Sequence, residues 1–201
     1  TEALSKKGVK VVYLNETFLK KRTEKTGDLF AKGTSQFTPA ASKLIAEEIA
    51  SAVSIGKGDS GLTVKDATIE GGNDLGGKAE KLPVRQVFKA DGTTPIALPE
   101  SGGTVLVISD QSVNLWKSDH ASVAEQLSYE LQRPVSLMAG SSARNEQRLK
   151  IMRQGTTSKS PLANTKLVVW VISALELASG DWDMVPLKLE FRMADPNLRV
   201  N

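Results

Sequence analysis

The stretch of this chain best suited to acyl chemistry is a turn. Thr104-Val105-Leu106-Val107-Ile108 is apolar and β-branched, and it runs straight into Ser109-Asp110-Gln111-Ser112. Many hydrolases present a nucleophile at such a place, because a buried strand fixes the turn that follows it. The single histidine, His120, follows shortly after, next to Asp119. A serine hydroxyl attacks well only when a base takes its proton, and a carboxylate normally orients that base. A Ser112–His120 pair would satisfy the first need if the two side chains converged. His120 also reads, more simply, as an exposed or first-turn residue of the next helix. Asp110 reads as a loop-holding carboxylate that accepts backbone N–H bonds.

Other residues suit binding better than bond-breaking. Gly140-Ser141-Ser142 follows a strand and precedes a helix, so it fits either an anion-binding turn or a plain turn with Ser142 as N-cap. Trp116 and Trp182 follow loops and could stack on sugar rings, whereas Trp170 lies in an apolar strand and is expected in the core. Arg144, Arg148, Lys150 and Arg153 share one helix, and the ordinary reading of such a group is a solvated face. With one histidine, no cysteine and no Asp/Glu cluster at ligand spacing, no metal or cofactor is expected.

These residues need elements to position them. Gly8 to Leu14 is short and β-branched and predicts a first strand, leading into a helical stretch with Lys20, Lys21 and Arg22. Thr38-Pro39 predicts a helix start, and Ala41, Leu44, Ile45, Ile49, Ala52 and Val53 continue at helical spacing. From about 54 to 103 the periodicity fades, and ten of the sixteen glycines fall there. This tract predicts a glycine-rich, mainly β and loop excursion outside the main sheet, with short strands at 61–64 and 83–88. Beyond it the pattern alternates: strand 104–108, helix 119–132, strand 134–138, helix 143–153, strand 166–172 and a segment around 184–191. Such alternation predicts an α/β fold in three layers, a mostly parallel sheet flanked by helices. Ligands in such folds sit beyond the carboxyl ends of the strands, so Ser109–Ser112, Ala139–Ser142 and Ser173–Glu176 should border one crevice.

Composition bounds the rest. The chain has 201 residues, 40% of them hydrophobic, which is enough for one compact domain spanning 1–201. A net charge of +3 lacks the dense basic stripe of a nucleic-acid binder, so no nucleic-acid partner is expected. The longest apolar run, 167–175, is too short to span a bilayer. Absence of cysteine fits an oxidising compartment. The chain begins at Thr1 with no signal peptide, which predicts a processed form of a longer precursor, with a membrane-anchored full-length form left open.

Several motifs together resemble a family. "VLVISDQSVNLW", "DHASVAEQLSYELQRPVSLMAG", "LVVWVISALEL" and "SGDWDMVPL" look like the SGNH-hydrolase-like domain of the alginate O-acetyltransferase family. Upstream, "KGTSQFTPAASKLIAEEIASAV" resembles that family's Asp-Thr-His-Trp-Thr-Pro signature. The resemblance covers most of the chain outside the glycine-rich middle. It implies an SGNH-hydrolase or flavodoxin-like fold, a periplasmic or exported location, and work on exopolysaccharide acetylation beside other proteins of that machinery. It also places Thr34 at the family's Asp, Gln36 at its His and Gln111 at its Ser, while Asp110, Thr38 and Pro39 match. Gln36 cannot take a proton near neutral pH, and Gln111 offers an amide where an oxygen nucleophile is needed. Losing one core triad member can cost on the order of a millionfold in turnover. The expectation is therefore a non-catalytic domain that binds an anionic polysaccharide or scaffolds its acetylation or export, through Gln36, Asp110, Gln111, Ser141, Ser142, Trp116 and Trp182. Two alternatives stay open: an active O-acetyltransferase or acetylesterase using Ser112 and His120, and a structural interaction module built on the glycine-rich middle.

Overall fold

The apolar run ending at Ile108 forms the central strand of a parallel sheet. A computed structural model of the chain describes residues 2–23, 28–31, 36–71, 79–140, 151, 162, 164–174 and 178. In it β3 (Val105–Asp110) lies between β4 (Val135–Gly140) and β5 (Leu167–Trp170). Both neighbours run parallel to β3, with Val105 opposite Val135 on one side and Leu167 on the other. Strands covered on both faces read as unbroken apolar runs, and residues 105–108 are at most 5% exposed. Alternation sends Val105 and Val107 to one face and Leu106 and Ile108 to the other. The first face packs with Ile45 and Ile49 of α3 (Pro39–Ala52) and with Leu127 and Leu131 of α4 (Val123–Leu131). The second packs with Met138 and Ile151. This is the expected mixed α/β architecture with a parallel sheet. The helix expected at 143–153, apart from Ile151, and the segment around 184–191 lie outside the described residues.

The two core helices start where their caps dictate. The Thr38 hydroxyl accepts a bond from Ala41 N–H at 3.3 Å, and Pro39 follows at the first helical position, where a missing N–H costs nothing. α4 starts at a capping box. Ser122 N–H donates to the Glu125 carboxylate at 2.8 Å, and Glu125 N–H donates to the Ser122 hydroxyl at 3.5 Å. That box corrects the expected helix 119–132, because residues 117–119 form a separate 3-10 turn and His120 adopts a left-handed conformation, φ 56°. His120 is thus not in the first turn of the helix.

Two further expectations fail for reasons of context. The predicted strand at 8–14 is irregular from 9 to 13 and gives way to helix α2 (Leu14–Thr23), which carries Lys20, Lys21 and Arg22 as expected. Val9 is 47% and Tyr13 65% exposed while Val11 and Val12 are half-buried, and the segment pairs with no strand among the described residues, so β-branched content alone did not make a strand. A short helix α1 (Glu2–Ser5) precedes this segment. Trp170 is 40% exposed instead of buried: alternation turns it with Val168 away from the α3–α4 face, on a strand that pairs on one side only among the described residues.

The glycine-rich tract contains a β-hairpin. β1 (Thr63–Gly71) and β2 (Glu80–Phe88) pair antiparallel over their full lengths, with Thr63 opposite Phe88 and Gly71 opposite Glu80. They form a two-stranded sheet of their own, and the strands are longer than the sequence suggested. Leu82, Val84 and Phe88 are buried on one face of β2 and Val87 on the other, so the hairpin packs into the molecule. Arg85 fastens this hairpin to the helices. Its guanidinium donates to Gln126 and to Glu130 of α4, both at 2.6 Å, lies 5.0 Å from the Tyr129 ring and stands 3.7 Å from Glu47 of α3. Gln126, Tyr129 and Glu130 can all reach it because they share one face of a helix.

Candidate functional site

The turn after β3 is organised by Asp110. Its carboxylate accepts the Ser112 N–H at 2.8 Å and caps a 3-10 turn over Gln111–Asn114. Asp110 therefore does what its place in the sequence suggested, holding the loop. Gln111 is exposed, Ser112 is half-buried and Val113 is fully buried. The turn shows solvent an amide at 111 and anchors itself by an apolar side chain at 113. Beneath it, Ser109 Oγ and Asn114 Oδ1 are buried without a hydrogen-bond partner among the described residues. Ser109 has no exposed surface, so an acyl donor cannot reach its hydroxyl in this arrangement.

His120 faces the hairpin. The His120 ring packs edge-on against Phe88 of β2, with centroids 5.5 Å apart and planes at 66°. Backbone bonds fix the same loop to the hairpin, with Val87 N–H donating to His120 C=O at 2.8 Å and the Gln86 amide donating to Asp119 C=O at 3.2 Å. Among the described residues no hydrogen bond joins the Ser112 hydroxyl to the imidazole.

The segment carrying Gln36 reaches the turn through Trp116. Residues 28–31 and 36–38 pair as an antiparallel ribbon: Ala31 N–H donates to Gln36 C=O and Thr38 N–H to Leu29 C=O, each at 2.9 Å. The Thr38 hydroxyl, 2% exposed, donates to Asp28 C=O at 2.7 Å. Beside Gln36, Phe37 C=O accepts the Trp116 indole N–H at 2.9 Å. The far edge of the same indole lies over Gly71 at the end of β1, where an added Cβ would stand 2.6 Å from the ring. Trp116, itself left-handed with φ 66°, ties together the loop after Gln111, the strand residue after Gln36 and the hairpin. The sequence suggests Trp116 as a sugar-stacking residue, and in the structure its N–H and one ring edge are engaged within the protein.

Thr34, Ser141, Ser142 and Trp182 lie outside the described residues, as do Arg144, Arg148, Lys150 and Arg153. The structure adds Phe37, Gly71 and Asn114 to the surroundings of the turn. Gly71 carries the one signal open to sequence reading, a glycine at a strand end, but such a glycine signals a turn and not a seat for an indole. Among the described residues no helix is long and apolar enough to cross a membrane.

No family model matches the sequence, and no curated protein matches it. Solved structures do match. The O-acetyltransferase domain of AlgJ from Pseudomonas putida superimposes with a TM-score of 0.61 at 16% identity, covering 84% of this chain and 60% of that one. AlgX from Pseudomonas aeruginosa gives 0.56 at 12% identity, with 84% and 40% covered. The chain thus spans less than two thirds of either solved chain, and identity this low speaks to fold and not to activity. In fold, this chain is similar to the O-acetyltransferase domain of AlgJ and to AlgX.

Proposed function

We propose that the chain forms a single domain that takes part in bacterial exopolysaccharide O-acetylation or export without catalysing acyl transfer. In this reading it works outside the cytoplasm, and the crevice beside Gln36, Asp110, Gln111 and Ser141 recognises an anionic polysaccharide or a partner protein of the same machinery. One observation carries the reading: the turn at the end of the central strand offers an amide at 111, while the only histidine packs on Phe88 instead of facing Ser112. A side-chain amide neither attacks a carbonyl usefully nor removes a proton near neutral pH. Asp110 and Trp116 tie the same turn to its neighbours through hydrogen bonds, and a polar turn held in place is what recognition needs.

Intact-mass measurement after incubation with a serine-reactive fluorophosphonate tests this, with the AlgJ O-acetyltransferase domain treated in parallel. The expected result is an unmodified mass for this chain. A stoichiometric adduct mapped to Ser112 would show that the nucleophile has moved by one residue, and would overturn the non-catalytic reading in favour of an O-acetyltransferase or acetylesterase.

A further inference from the structure

The chain's positive charge is gathered at one end. Residues 1–23 hold six Lys and Arg against Glu2 and Glu16, an excess larger than the +3 of the whole chain, so the remainder carries no net positive charge. Residues 3–10 are exposed throughout and include Lys6, Lys7 and Lys10. The nearest acidic residues along the chain are Glu2, at the far end of α1, and Glu16, in α2.

The sequence builds a defined turn here. Gly8 takes a left-handed conformation, φ 76°, and ends α1 in a Schellman motif: Val9 N–H donates to Leu4 C=O at 3.1 Å and Gly8 N–H to Ser5 C=O at 3.0 Å. That motif sets the residue after the glycine beside the helix residue five earlier, so Leu4 and Val9 share one side of the turn. Both stay in solvent, Leu4 at 50% and Val9 at 47% exposed. The segment that follows is anchored, with Val11 and Val12 half-buried and Leu14 and Phe18 packed against the core, while Tyr13 is turned outward. An apolar pair is therefore presented among three lysines on an exposed turn.

A partner must accept both kinds of side chain. Protein interfaces are depleted in lysine, and their anchors are aromatic or arginine side chains seated in pockets. An anionic bilayer accepts diffuse ammonium charges at its phosphates, aliphatic side chains just beneath them and tyrosine at the boundary. We infer that the turn from Leu4 to Lys10 docks the domain on an anionic lipid surface, with Leu4 and Val9 entering the headgroup boundary and Lys6, Lys7 and Lys10 on the phosphates. Such docking needs no spanning helix, only the exposed turn. It shares no residue with the crevice beside Gln111 and stands without the polysaccharide reading.

Co-sedimentation of the whole chain with vesicles of phosphatidylcholine, alone or mixed equally with phosphatidylglycerol, tests the docking. Wild type should sediment with the mixed vesicles and not with phosphatidylcholine alone, and its binding should fall as salt is raised. A variant carrying Lys6→Gln, Lys7→Gln and Lys10→Gln should bind about a hundredfold more weakly, roughly fivefold for each lysine brought to an anionic surface. Leu4→Ser together with Val9→Ser should weaken binding about tenfold. Because the chain has no cysteine, Val9→Cys can carry an environment-sensitive fluorophore. Its emission should shift to the blue on the mixed vesicles, whereas the same label on Ala90→Cys should not change. All the substituted side chains are exposed, and unchanged thermal melts will confirm that the variants fold. Wild-type binding by the lysine variant, equal binding to both kinds of vesicle, or a label at position 9 that stays in water would each overturn the assignment. Lysine-dependent binding of soluble polyglutamate, with none to vesicles, would overturn it in favour of an acidic protein partner.

Discussion

Trp116 and Gly71 form a contact that neither residue's position in the chain announces. The indole N–H is pinned to Phe37 C=O, so the ring cannot swing away when something is added beneath it. A methyl group at position 71 would lie 2.6 and 2.9 Å from two ring carbons and 3.0 Å from Leu82 Cδ1. Gly71→Ala should therefore destabilise the fold by about 1–3 kcal/mol, the usual cost of overpacking. It should also shift the tryptophan emission. In a Trp116→Ala background most of that cost should vanish, because the two sites act through one contact. Additive losses in urea melts of the two single variants and the double variant would show that the indole is not what Gly71 accommodates. At this scale the sequence made Asp110 legible, since an Asp at the start of a turn has few other uses. It hid the fate of His120, because a left-handed backbone at a histidine depends on the surrounding loop.

At the scale of elements, one cation fastens the hairpin to α4 beside its buried apolar residues. Arg85 spends its planar fork on Gln126 and Glu130 together, and its side chain is only 15% exposed. The third neighbour, Glu47, is 40% exposed at 3.7 Å and adds little through solvent screening. Arg85→Ala should cost roughly 2–4 kcal/mol, chiefly because Glu130 would be left with its charge partly buried and unpaired. Arg85→Lys should restore less than half of that, since an ammonium cannot serve both partners from one plane. Denaturant midpoints measure the loss, and hydrogen exchange should quicken in β1 and β2 before it quickens in β3. Equal protection of both sheets in the variant would mean that the buried apolar residues of β2 hold the hairpin without Arg85. The sequence showed strands in this tract but not their attachment, because Arg85 and its α4 partners lie far apart in the chain.

At the scale of the whole molecule, a buried carboxyl makes stability depend on pH. Glu125 is 2% exposed, and burial pushes its carboxyl up to about 7, opposed by the bonds from Ser122. The folded state therefore holds this proton over a pH range in which the unfolded chain has released it. Stability from this group is fully present below the ordinary carboxylate range and is lost as pH rises toward 7, by up to about 3 kcal/mol. Glu125→Gln keeps an acceptor for Ser122 N–H and removes the charge. Between pH 5 and 8 the wild type should lose stability relative to this variant, and thermal or urea melts across that range give the difference. A constant difference between the two proteins would show that Glu125 is ionised throughout.

Local and periodic signals were enough for much of the architecture. The Thr38-Pro39 start of α3, the apolar run of β3, the alternation into β4 and β5 and the basic end of α2 all follow from interactions within a few residues or from burial on one face. The same local reading showed Gln36 and Gln111 to be unable to act as base and nucleophile, since that is a property of the side chains themselves. What required the tertiary structure was everything that depends on residues distant in the chain: Arg85 reaching α4, Trp116 joining Phe37 to Gly71, and His120 turning to Phe88. The strand expected at 8–14 and the burial expected of Trp170 belong here as well, because β-branched and aromatic residues take the structure their neighbours allow. Propensity is local, whereas burial and side-chain partnership are set by how distant segments meet.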